Sequence, residues 1–152
     1  MSRMSQSMPV DVAYLERVTM EADYDRSWKE GKKNIAACSW LAYWHLERCS
    51  FVQARKFFGH LVMLDKSDSK AWLSLSVCST IAGDVDEGER ALQEAIRLLH
   101  RPLDDVRVRY CIALVAELRG NVNEAVAAYR TTIKMCEKGD AAFLTTKNNR
   151  RA

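Results

Sequence analysis

Residues 71–99 read AWLSLSVCSTIAGDVDEGERALQEAIRLL, and this stretch decides the fold. Its apolar side chains recur at the spacing of one face of an α-helix. The pattern breaks once, at Gly83-Asp84. Glycine suits a helix end because, lacking Cβ, it tolerates left-handed backbone. Asp84 stands at a plausible start of the next helix. The acidic run Asp84, Asp86, Glu87 and Glu89 then favours the macrodipole of that helix. Its spacing lacks a calcium loop's ligand set, so it reads as a cap. The stretch therefore predicts helices over 69–82 and 85–99, joined by a tight turn.

The same pattern extends in both directions with a period of 34 residues. Leu41 recurs as Leu75, Phe51 as Val85, Ala54 as Gly88, Phe58 as Leu92 and Leu61 as Ala95. Three extra residues near Pro102 shift the register, which continues through Ile112, Val122, Ala125, Tyr129 and Thr132. Turns fall in step at Cys49-Ser50, Gly83-Asp84 and Gly120-Asn121. Small residues at Ala54, Gly88 and Ala125 let the second helix of each pair approach the first, and Phe58, Leu92 and Tyr129 fill the space beside them. One pair cannot bury its apolar face alone, whereas stacked pairs share a core and leave a concave surface.

The expected helices are 10–21, 24–48 with a break near Gly31, 51–64, 69–82, 85–99, 105–119 and 122–137. Asp68 or Ser69, Asp84 and Asn121 mark helix starts. A short helix from Asp140 to Thr145 is expected before a fraying tail. The fold class is all-α: a solenoid of three helix-turn-helix repeats with an N-terminal helical extension and a short C-terminal helix or tail. The extension covers 1–34, the repeats 35–137 (about 35–68, 69–102 and 106–139) and the tail 138–152.

The register matches the tetratricopeptide pattern, W-x2-L-G-x2-Y…A-x3-F…P. Trp72 with Leu75 fits its opening, and Ala54 with Phe58 and Ala125 with Tyr129 fit its second helix. The glycine after the leucine is missing from every repeat, and the terminal proline is absent or displaced. In such a solenoid the first helix of each pair lines the groove. Helical spacing puts Ser39, Tyr43, Leu46 and Glu47 there in the first repeat, and Lys70, Leu73, Val77 and Ile81 in the second. The third contributes Arg107, Tyr110, Leu114 and Leu118. Tyr43, Leu46, Leu73, Val77, Tyr110 and Leu114 then form an apolar strip with Glu47, Lys70 and Arg107 as a polar rim. That composition suits a peptide with hydrophobic anchors. The alternative is that the terminal helices cover the strip. If it is open, truncating Tyr43 or Leu73 to alanine should weaken capture and spare helicity.

Composition narrows the function. The chain has 152 residues, two prolines, six glycines and a net charge of +3. That charge is too small to imply nucleic-acid binding, and the basic cluster Lys147, Arg150 and Arg151 reads as a solvated tail. Five cysteines form no C-x-x-C pair, which suits buried thiols in a reducing compartment. Met1 to Pro9 lacks the pattern of a secretory signal, and no apolar run is long enough to span a membrane. A cytoplasmic location is expected. His45, His60 and His100 are isolated from one another, and His45, just past Trp40–Trp44, reads as structural. No phosphate-cradling glycine loop occurs. No catalytic residue, metal ligand or cofactor is expected, so the chain reads as a binding protein.

Residues 41–100 resemble the tetratricopeptide chaperones of bacterial type III secretion, especially those that escort translocators (class II). The resemblance is carried by Leu41-Ala42-Tyr43, Phe51 with Ala54, Phe57-Phe58 and Val62-Met63-Leu64-Asp65. It continues through Asp68-Ser69, Leu73 to Cys78 and Ala82-Gly83-Asp84. Beyond residue 100 the family's pattern gives way to Tyr110-Cys111-Ile112-Ala113. The resemblance implies a cytoplasmic chaperone whose groove, here Tyr43, Leu46, Leu73, Val77 and Tyr110, grips an extended segment of a secreted partner. It also implies a homodimer formed through Met8 to Met20, with self-packing of that helix as the alternative. The rival readings are a chaperone for the secretion needle subunit and a general repeat scaffold. A eukaryotic-type co-chaperone fits poorly. Ser39, Tyr43, Ser74 and Cys111 occupy most of its two-carboxylate clamp, and only Arg107 could serve.

Overall fold

A computed structural model describes the backbone of residues 28–149 and the side chains of 35–139. The expected helix 10–21, the segment Met8 to Met20 for which dimer contacts are expected, and the terminal Arg150 and Arg151 lie outside the described residues. Within them the protein is all-helical. Helix α1 spans Trp28–Glu47, α2 Phe51–Leu64, α3 Ser69–Ile81 and α4 Val85–Leu98. A 3₁₀ turn at Pro102–Asp104 leads into α5, Val106–Leu118, and α6, Val122–Asn149.

Two expected boundaries need correction. Gly31 does not break α1, and α6 runs on through Gly139 to Asn149 instead of stopping at 137 and restarting at Asp140. A glycine inside a helix costs only about 1 kcal/mol relative to alanine. Neither site has a nearby proline or a left-handed backbone to enforce a stop.

The helix ends follow one rule repeated three times. Cys49, Gly83 and Gly120 have φ of 55°, 100° and 82°. After each, an amide reaches back to the last helical turn: Ser50 to the His45 carbonyl (3.0 Å), Asp84 to Ser79 (2.9 Å) and Asn121 to Ala116 (2.9 Å). Each closure satisfies carbonyls that the helix end would otherwise leave open. Cys49 stands alone among these in having a side chain in a left-handed backbone. Cys49→Gly is therefore expected to stabilise the fold by about 0.5–1 kcal/mol. Thermal melting tests this, and a lower midpoint would contradict it.

The starts of α3, α4 and α5 are fixed by aspartates. The Asp68 carboxylate accepts from the Ala71 amide (3.0 Å), Asp84 from Glu87 (3.0 Å) and Asp105 from Arg107 (2.9 Å). These bonds satisfy amides at the first helical turn. The Glu87 amide, followed by Arg55, holds the Asp84 carboxyl below its ordinary range. The acidic start of α4 also ties it to its neighbours. Arg55 of α2 bridges Asp84 (2.7 Å) and Glu87, and Arg119 after α5 bridges Asp86 (2.8 Å) and Glu89.

Each helix packs on its neighbours in sequence, and α3 also meets α5. One core cluster gathers Cys38, Leu41, Phe57, Phe58, Leu61 and Leu75 between α1, α2 and α3. A second gathers Leu73, Leu92, Ala95, Val108, Cys111 and Val115 between α3, α4 and α5. Trp72 borders both, and its indole donates to the Lys66 carbonyl at 3.0 Å, which pins the turn before α3. The small register positions Ala54, Gly88 and Ala125 are all buried, as is Phe58 beside Ala54. Gly88 shows why size matters there. A Cβ at that site would sit on the Thr80 hydroxyl and 3.0 Å from the Ser76 carbonyl oxygen.

Candidate functional site

A groove of about 380 Å³ opens between α3, α5 and α6, with Leu46 of α1 at one edge. Its geometry follows from the repeat. Lys70, Leu73 and Ser74 of α3 line it, and so do Arg107, Tyr110 and Cys111, at the same register positions of α5. Val77 and Val106 extend the apolar floor, and Thr132 and Cys136, one turn apart on α6, form a wall.

Of the expected strip, Leu46, Leu73, Val77 and Tyr110 meet in this groove, with Lys70 and Arg107 from the rim. The other members are placed elsewhere. Tyr43 packs edge-on against Phe58, ring centroids 5.1 Å apart, and borders the first core cluster. Leu114 is buried on α5 and does not line the groove, and neither does the exposed Glu47. Ile81 lines a separate depression at the first turn with Cys49 to Gln53, and Leu118 is exposed outside the groove. Leu73 belongs to two surfaces at once: it is 3% exposed, forms part of the second core and sits at the groove's base.

Sequence reasoning missed the α6 wall. The helix expected over 122–137 already carries Thr132 and Cys136 on one face, but spacing within a helix does not say which other helices that face meets.

The polar atoms around the floor are mostly accounted for locally. Ser74 donates to the Lys70 carbonyl (3.0 Å), and the Cys111 thiol points to the Leu73 carbonyl (3.8 Å). Burial pushes the Cys111 thiol up to about 12, so at neutral pH it is protonated and behaves as a small apolar group. Arg107 forks onto Asp105 at 3.0 and 2.6 Å, and this bond holds the Asp105 carboxyl below its usual range. Tyr110 is 40% exposed and lies 6.2 Å, centroid to centroid, from Tyr129, whose hydroxyl donates to Glu117.

His45, Cys38 and Cys78 are occupied in packing. His45 is buried and stacks on Phe57 at 5.5 Å. The Cys38 thiol donates to the Phe57 carbonyl at 3.1 Å, and burial raises Cys38 and Cys78 to about 12. Among the described residues, no helix is long and apolar enough to cross a membrane. No known protein-family model matches the chain, and no curated protein matches it significantly.

Proposed function

We propose that the helices form a tetratricopeptide-type solenoid of three repeats whose groove holds a segment of a protein partner. The protein then acts as a cytoplasmic chaperone that keeps a secreted partner soluble and ready for export, with a type III secretion translocator as the favoured client. One observation carries this reading. An apolar groove is built from matching register positions of α3 and α5 and is open among the described residues. Open apolar grooves edged by polar groups are where proteins take up peptide anchors. The sequence resemblance supplies the client class.

Val77 is half-buried where the second core meets the groove floor, so a charge placed there meets an arriving apolar anchor while removing only the core's edge. Val77→Glu is expected to reduce client capture at least ten-fold, since an unpaired carboxylate against an apolar anchor costs more than about 1.4 kcal/mol. Co-purification with mass spectrometry, beside a circular-dichroism melt, checks it. Recovering a pore-forming secreted protein that the variant loses supports the translocator reading. A small helical needle subunit would support the needle-chaperone alternative. Unchanged capture by a folded variant would remove the groove from the account.

A further inference from the structure

The groove's floor is apolar, but the charges at its mouth are of one sign. Among the described residues, Lys70 and Arg107 line it and no Asp or Glu does. They occupy equivalent positions of successive repeats, as do Leu73 with Tyr110 and Ser74 with Cys111. The two cations differ in one respect that matters. Arg107 is already forked onto Asp105, a carboxylate that also caps α5. Lys70 is exposed and has no carboxylate partner among the described residues. Its ammonium stands 5.5 Å from the centre of the Tyr43 ring.

We propose, building on the peptide-groove reading, that the occupant is a segment in which an apolar anchor is flanked by an aspartate or glutamate. The anchor enters between Val77 and Tyr110, and the side-chain carboxylate meets Lys70, with Arg107 adding to the local positive field. An ammonium without an anion beside a floor without acids is complementary to this pairing and repels its basic counterpart. The ring of Tyr43 holds the ammonium through its π-face, so the cation is positioned before the ligand arrives.

Three labelled peptides with blocked termini test this against the full chain by fluorescence anisotropy. Their sequences are Gly-Ser-Glu-Leu-Leu-Glu-Ser-Gly and its counterparts with glutamine or lysine in place of glutamate. The glutamate peptide should bind roughly three- to five-fold tighter than the glutamine peptide, the range of one exposed ion pair, and the lysine peptide weakest. Lys70→Met should erase the glutamate preference, Lys70→Arg should keep it, and high salt should narrow it. Equal binding of all three peptides, abolished by Val77→Glu, would overturn the acidic preference and leave the groove reading standing. Binding of none would overturn both. Preference for dodecanoate over the glutamate peptide would overturn the peptide assignment. So would self-association lost in Val77→Glu, which would give the groove to a second copy of the chain.

Discussion

Gly88→Leu should destabilise the protein by about 3 kcal/mol or more, the upper range for forcing bulk into a packed core. Gly88 is buried on the face of α4 that meets α3, where a Cβ would collide with the Thr80 hydroxyl and crowd the Ser76 carbonyl. Neither obstacle yields easily. Thr80 is fully buried and its hydroxyl is held on the Ser76 carbonyl at 2.7 Å, while the carbonyl itself belongs to the backbone of α3. The helices must move apart, and the Arg55 bridges to Asp84 and Glu87 lie on the segment that would shift. Thermal melting should show a midpoint lowered by on the order of 10 °C. Thr80→Ala removes the oxygen that the new side chain meets first. Gly88→Ala combined with Thr80→Ala should therefore cost less than the sum of the two single changes. A wild-type midpoint for Gly88→Leu, or strict additivity in the double variant, would refute the close approach.

Leu73→Ala should cost about 3 kcal/mol and lose partner capture with it, the usual price of deleting a buried leucine. Helical spacing makes Leu73 a groove residue whose truncation spares the fold. Its burial reverses that expectation, because the side chain packs with Leu92, Ala95, Val108 and Cys111 while its outer edge touches the groove. Val77→Glu and Leu73→Ala thus separate two ways of losing capture. The first should lose capture with a smaller fall in the melting midpoint, because Val77 sits only at the core's edge, and the second should lower the midpoint more. Equal stability of Leu73→Ala and wild type would move Leu73 back to the surface.

The positions that sequence reasoning read well are those governed by local chemistry. The starts at Asp68 and Asp84 and the turns at Cys49, Gly83 and Gly120 depend on a few adjacent residues, and their hydrogen bonds close where the pattern expects. The small positions Ala54, Gly88 and Ala125 were legible because one register repeats them. The cap at Asp105 was missed, since the expected helix began on that residue. Gly31 misled for a different reason. Glycine lowers helix stability, yet ends a helix only where the backbone turns left-handed.

The candidate site was half legible. Periodicity says which side chains share a face of a helix, and so it grouped Lys70, Leu73 and Val77, and Arg107, Tyr110 and Leu114. It does not say how that face is rotated toward the next helix. That rotation buries Leu114, turns Tyr43 onto Phe58 and leaves Tyr110 exposed. The sequence by itself determined the helices, their turns and the register of small and large residues, because these follow from spacing and capping within a few residues. Only the tertiary structure decided which apolar side chains are core and which are groove, and that Thr132 and Cys136 wall it. Those outcomes depend on where distant helices meet, which no single helix encodes.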